Sequence, residues 1–290
     1  MQNSHQAALN YAHHNAHQFR DSLSAFLSIP SISTYPDHKA DMERTAGFLA
    51  EAMERIGITN IQVHPTSGNP IVFGEINEAG PSKPTVLLYG HYDVQPPDPL
   101  DLWETPPFQP EIRGENIFAR GASDMKGQIM AFLKAVEAIR RTGGFPVNVK
   151  FLIEGEEEIG SRNLEPFIRQ NAQLLKCDIA LNLDVSMAGL DTPSITYALR
   201  GLSYFELLIE GPDHDLHSGT FGGVIHNPAN ALCQLLAGMQ DDNGKITLPR
   251  FYDRVLPLSG EERKLLDQLP ISPATILEQT GAPALWGEPE

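Results

Sequence analysis

Apolar residues recur along the chain with two alternating periods, and that alternation predicts the layout. Over residues 4–28, Ala8, Leu9, Phe19, Leu23, Phe26 and Leu27 make a loose stripe of helical spacing that Pro30 ends. Over 39–56, Met42, Ala46, Leu49, Met53 and Ile56 share one side of a second helix, with Gly57 at its C-terminal stop. Short strands are predicted at 61–63 and 71–76. Residues 86–89 are a continuous apolar run between Pro84 and Gly90, as expected of a strand covered on both faces. A proline-rich loop follows, and then a helix over 125–141, capped by Ser123 or Asp124, turns Ile129, Phe132, Leu133, Val136 and Ile139 inward. A strand at 147–153, a helix at 161–170 and a third apolar strand at 179–183 complete the series. Strands alternating with helices predict an α/β fold, a sheet with helices on its faces.

The pattern changes after about Tyr197. Ser203, Phe205, Leu207 and Ile209 alternate with Tyr204, Glu206 and Glu210, which predicts a strand with one wetter face. Asn227 and Pro228 open a helix reaching about Met239, Ser259 and Glu262 form a capping box, and Pro273 and Gly281 bracket one more helix. A second domain is therefore expected from residue 198 onward, following a first over 1–197.

Composition narrows the function classes. Of 290 residues, 41% are hydrophobic and 20% charged, which is ordinary globular usage. The net charge of −16 would repel nucleic-acid phosphates and anionic membranes, so neither is expected as a partner. No apolar run approaches the ~20 residues of a membrane span, and the N-terminus has no basic segment followed by an apolar one. Cys177 and Cys233 are far apart in apolar surroundings, which predicts small core residues and the reduced thiols of a cytoplasmic protein. His13 and His17 stand four apart on a helix but lack an acidic third ligand, and a solvated face is expected there.

Candidate chemistry gathers at strand ends. The first apolar strand runs into His91-Tyr92-Asp93, the second into Glu154-Gly155-Glu156-Glu157-Glu158, the third into Asp184, and Asp124 opens a helix. Ligands of open α/β sheets lie beyond the carboxyl ends of the strands. His91, Asp93, Asp124, Glu157, Glu158 and Asp184 are thus expected on one rim. Five carboxylates cannot share a cleft unless some protonate or cations neutralise them. One or two divalent metals satisfy that condition, and imidazole with carboxylates suits zinc, with cobalt and manganese as substitutes. In His91-x-Asp93 the aspartate is placed to hold the second imidazole nitrogen.

The segments GHYDV, GASDMKGQ, EGEEEIGS and LNLD together resemble the zinc aminoacylase/carboxypeptidase family of metallopeptidases, and LRGLSYFELLIEGPDHDLHSGTFGGVIHNP is similar to its dipeptidase branch. The spacings agree: 33 residues from His91 to Asp124, 34 from there to Glu158 and 26 to Asp184. The resemblance runs from about residue 30 to the end. It implies a mixed, largely parallel sheet flanked by helices, with an inserted α+β lid that also dimerises. It implies two zinc ions, with His91 and Asp184 on one, Glu158 on the other and Asp124 bridging through a cis Asp124–Met125 peptide. Glu157 would be the general base and Asp93 the residue orienting His91. His217, on the lid, would reach the partner's site to help hold the oxyanion. The implied reaction is cleavage of the amide bond of dipeptides or short peptides in a homodimer. An N-acyl-amino-acid deacylase and a non-catalytic dimerising homologue remain open as alternatives. The family's second zinc takes a further histidine beyond the lid, whereas His214, His217 and His226, the histidines after Glu158, all lie in the lid segment. The expectation is an N-terminal portion of a longer enzyme, ending inside the lid and inactive by itself.

Overall fold

The computed structural model describes residues 2–189 and 191–288. It divides into two compact units, 1–186 and 187–290.

The first unit is built on a five-stranded sheet. Its strands are β1 (Thr59–His64), β2 (Ile71–Ile76), β3 (Thr85–His91), β6 (Asn148–Glu154) and β7 (Ile179–Asn182), in the order β1-β2-β6-β3-β7. β1 and β2 pair antiparallel, as do β2 and β6, whereas β3 runs parallel to both β6 and β7. The sheet is therefore mixed, with a parallel half and an antiparallel half. A separate hairpin, β4 (Glu111–Arg113) and β5 (Asn116–Phe118), lies within the loop expected to be irregular.

Helices cover both faces. On one, α3 (Lys39–Arg55) and α4 (Lys126–Thr142) present Met42, Ala46, Leu49, Met53, Ile129, Leu133 and Val136 to Val72, Leu88, Val149, Phe151 and Ile153 of the sheet. On the other, α5 (Leu164–Gln170) and α6 (Ala172–Leu175) bring Phe167 and Leu175 against Ile71, Phe73, Leu87 and Leu152. Each of these side chains larger than alanine contributes ~1.5–3 kcal/mol by leaving water. The alternation of Leu87 and Leu88 between the two cores is the physical meaning of the continuous apolar run. Gly90 faces the α4 side, where a Cβ would come within 2.8 Å of Met125 Cε. The absent side chain lets Met125 pack directly on the strand that ends in His91.

The N-terminal helical stripe is two helices, α1 (Gln2–His14) and α2 (Ala16–Leu27), broken at Asn15, whose side-chain amide donates to the Tyr11 carbonyl. His13 and His17 are exposed there, and His17 pairs with Asp21 at 2.9 Å.

Two expectations for the first unit need correction. β7 is not a buried strand: it is the sheet edge, with Ile179 52% and Leu181 40% exposed. Neither Ser123 nor Asp124 caps α4; Met125 is its N-cap residue and gives no side-chain bond. Both residues are held instead in the tight turn before the helix, where Asp124 faces the site.

In the second unit, α7 (Ser218–Phe221), α8 (Pro228–Ala237), α9 (Gly260–Leu266) and α10 (Pro273–Thr280) are present. Asn227 caps α8, Ser259 and Glu262 form the anticipated box on α9, and Gly281 closes α10 in the left-handed region. Residues 203–209 form no strand, and Tyr204, Phe205 and Leu208 are exposed. A strand exists through the ladder it joins, and among the described residues this segment pairs with none. Cys233 is likewise exposed rather than core, while Cys177 is half-buried.

Candidate metal centre

The parallel half of the sheet creates the site. β3 lies between β6 and β7, so its carboxyl end is flanked on both sides by chain leaving the sheet in the same direction. His91 is the last residue of β3, in register with Glu154 of β6, and its side chain is fully buried. Around it stand Asp124 from the turn before α4, Glu157 and Glu158 from the loop after β6, and Asp184 just past β7.

His91 Nε2 lies 3.1 Å from Asp124 Oδ1, 3.8 Å from Asp184 Oδ2 and 3.9 Å from Glu157 Oε2. Two sets of potential ligand atoms each lie within 4.8 Å of one another: His91, Asp124 and Asp184 in one, His91, Glu157 and Glu158 in the other. The Asp124–Met125 peptide is cis, as the resemblance implied.

On its other side, His91 Nδ1 is 3.1 Å from the Asp93 carbonyl and 3.3 Å from Asp93 Oδ1. Asp93 is itself fully buried. Its two carboxylate oxygens accept the backbone N–H groups of Glu157 (3.2 Å) and Glu158 (3.1 Å). One buried anion therefore orients the imidazole and fixes the loop that carries two more candidate ligands.

The four acids at the end of β6 and in that loop divide by their partners. Glu154 Oε1 accepts from Tyr89 Oη and Ser161 Oγ, each at 2.7 Å. Glu156 accepts from the backbone of Asn69 and from both the backbone and side chain of Asn163. Both are buried and occupied with structure. Glu157 and Glu158 face the imidazole instead.

Electrostatics test whether a cation fits. If Nδ1 donates its proton to Asp93, a neutral His91 turns the Nε2 lone pair toward carboxylate oxygens. That arrangement is repulsive unless a proton or a cation stands between them. Nε2 is buried and has no hydrogen-bond partner. Burial disfavours the imidazolium, yet the bond and charge of Asp93, with Glu157 and Asp124, outweigh it and lift His91 to about 9. Desolvation, together with the neighbouring acids, raises Glu157, Glu158 and Asp184 above the ordinary carboxylate range. The site thus takes up protons where it lacks other cations, and a nitrogen with hard oxygens is the donor set of zinc. His91, Asp124, Asp184 and Glu158 fit a divalent metal centre.

The structure brings together His91, Asp93, Asp124, Glu157, Glu158 and Asp184. His217 belongs to the second unit. It is exposed, caps α7 by accepting Gly219 N–H at 3.1 Å, and lines a cleft of about 1080 Å³ with His214, Phe221 and His226. Trp103 is tied into the proline-rich loop by its bond to the Pro97 carbonyl. Sequence reasoning passed over Gln95, whose Nε2 donates to Glu158 Oε2 at 2.6 Å. Its position two residues past Asp93, directly after GHYDV, was the available signal.

Comparison with known proteins places the chain in a family. The model of peptidase family M20/M25/M40 matches residues 87–263. The Cys-Gly metallodipeptidase DUG1 of Candida albicans is 36% identical over 272 residues, covering 88% of this chain and 56% of that protein. The human Beta-Ala-His dipeptidase is 36% identical over 264 residues, covering 84% of this chain and 51% of its own length. The chain spans about half the length of these curated relatives. Among solved structures, the M20 metallo-carboxypeptidase Sso-CP2 from Sulfolobus solfataricus superposes with a TM-score of 0.76 at 36% identity, covering 93% of this chain and 61% of that one. The Saccharomyces cerevisiae di-peptidase Dug1p gives 0.74 at 30% identity, covering 98% and 63%. With the family model spanning more than half its length, the chain belongs to peptidase family M20/M25/M40.

Proposed function

We propose that the protein is a zinc-dependent metallopeptidase that hydrolyses the amide bond of dipeptides or short peptides. The observation that carries the reading is His91 Nε2, buried and without a hydrogen bond, facing the carboxylates of Asp124, Asp184 and Glu157. The relatives' names, Cys-Gly metallodipeptidase and Beta-Ala-His dipeptidase, support a dipeptide as substrate.

His91, Asp124 and Asp184 would hold one ion, with Glu158 on a second and Asp124 shared between them. Two zinc ions are our assignment, with manganese or cobalt as substitutes. When bound, the ions supply Lewis acidity to the scissile carbonyl and acidity to a water. Glu157, with burial raising its carboxyl, takes the proton of the attacking water and returns it to the leaving amine. Asp93 holds the His91 tautomer. We assign residues 1–197 to the catalytic part and 198–290 to part of a lid that dimerises. In such a homodimer His217 would supply a donor to the oxyanion of the partner's site. A cytoplasmic location accords with this reading.

The test is hydrolysis of Cys-Gly, β-Ala-His and N-acetyl-amino-acid substrates by the zinc-loaded full-length protein and by its Glu157→Gln variant. The reading expects dipeptide cleavage, reduced ~10²–10⁴-fold in the variant while zinc stays bound. Equal rates in the variant, or cleavage of N-acetyl substrates alone, would overturn it.

A further inference from the structure

The turn that follows α2 touches both of the loops that carry the site. Ser31, fully buried, donates its hydroxyl to the Tyr92 carbonyl at 2.7 Å, and its own carbonyl accepts Val94 N–H at 2.9 Å. Ile32 adds an isolated parallel bridge to Val94. The backbone on either side of Asp93 is thereby bonded to this one turn.

The same turn receives Lys126, the second residue after Asp124 and the first of α4. Its Nζ donates to the Ile29 carbonyl at 2.6 Å and to the Phe26 carbonyl at 3.2 Å, and lies 5.0 Å from the centre of the Phe26 ring. The side chain is fully buried. Lysine is almost never enclosed in this way unless its nitrogen is used, and an apolar side chain would fill the space at lower cost. Here the nitrogen adds a second donor to carbonyls at the end of α2 that already accept backbone N–H groups, Phe26 from Ile29 and Ile29 from Ser31, so it ties α4 to a turn that is closed on itself.

We propose that the turn from Phe26 to Ile32 is a clamp that sets the Asp93 loop against the Asp124 loop, with Ser31 and Lys126 as positioning residues for the metal centre. Neither side chain touches substrate or metal; each fixes the backbone beside a residue that does, or that orients one. This rests on the reading of Asp124 as a ligand. Groups that orient ligands typically change metal affinity 10–100-fold when removed.

The test measures zinc affinity of the full chain by competition with a chromogenic chelator, well below the unfolding temperature, with thermal unfolding of the same samples. The variants are Ser31→Ala, Lys126→Met, Asp124→Asn and Leu133→Ala, the last a core truncation on α4 remote from the clamp's bonds. The clamp predicts that Ser31→Ala and Lys126→Met weaken zinc binding ~10–100-fold while folded, and that Leu133→Ala lowers the unfolding temperature without that loss. Should Lys126→Met fail to fold, Ser31→Ala, which removes one hydroxyl, decides. Zinc binding unchanged in the clamp variants but weakened in Asp124→Asn would overturn the clamp and leave the site intact. An equal loss in Leu133→Ala would also overturn it, as general loosening. Unchanged binding in Asp124→Asn would overturn the site reading, and the clamp with it.

Discussion

Asp93 Oδ1 lies 3.3 Å from His91 Nδ1, and both side chains are sealed from solvent. A carboxylate in that position fixes which imidazole nitrogen carries the proton, and so which one is presented to a cation. The same carboxylate also accepts the Glu157 and Glu158 N–H groups. Replacing it with Asn removes the charge and offers one of those N–H groups an amide instead of an oxygen. Asp93→Asn is expected to weaken zinc binding ~10–100-fold and to bring the His91 pKa down toward its ordinary value. Chelator competition and NMR titration of the imidazole check the two effects.

Metal and pH act on the same groups. In the cation-free protein Glu157, Glu158 and Asp184 have raised pKa values, chiefly because they are desolvated, so the folded state binds more protons than the unfolded one. Their stabilising contribution is complete below the unfolded carboxylate range and is lost as pH rises through the raised values. His91 acts in the same direction at higher pH: its contribution is complete below about 6.5 and is lost as pH climbs through about 9. The chelator-treated protein should therefore lose stability from these groups across both windows. Zinc, which replaces the protons, should raise the unfolding temperature more at pH 8 than at pH 5.5. Thermal unfolding at the two pH values, with zinc and with chelator, measures this difference.

Two glycines give opposite signs for one substitution. Gly47 lies within α3, and a Cβ there would meet nothing within 4 Å. Gly47→Ala should stabilise the chain by ~0.5–1 kcal/mol, the usual gain of Ala over Gly in a helix. Gly127 lies in the first turn of α4, where a Cβ would come 2.1 Å from the Ala122 carbonyl oxygen. That oxygen belongs to the backbone of the turn carrying Asp124 and cannot move alone. Gly127→Ala should destabilise by ~1–3 kcal/mol and weaken zinc binding. Denaturant unfolding of both variants decides.

Gln95 offers a milder perturbation. Its bond to Glu158 Oε2 holds that carboxylate beside His91. Gln95→Ala should leave folding stability within ~0.5 kcal/mol, as for most changes away from the core, while lowering zinc occupancy. Metal analysis after dialysis against a weak chelator reads the loss.

Much of this architecture was legible in the apolar pattern because local and tertiary demands agree there. Residues 71–76 form β2 with the bounds read from the sequence, and the stripe from Met42 to Met53 faces the core as expected. The ligand set was legible for a different reason: parallel strands deliver whatever follows them to one rim, so strand order alone gathers His91, Glu157, Glu158 and Asp184. The strand expected at 203–209 failed because alternation proposes a face but not a partner. The edge position of β7 was hidden because Ile179 and Leu181 look alike in a central or an outer strand. The hairpin at β4 and β5 escaped notice because three-residue strands carry no period, although Gly114, at φ +63°, marks its turn. Ser31 and Lys126 were invisible as partners of the site because their bonds cross from the α2 turn to segments distant in sequence.

The central claim is that the carboxyl ends of β3, β6 and β7 build a metal centre around His91. Crystals of the protein grown with zinc and measured at the zinc absorption edge test it most directly. The account predicts an anomalous peak about 2.0–2.1 Å from His91 Nε2, shared with Asp124 and Asp184. A peak elsewhere, or none beside His91 at full zinc loading, would contradict it.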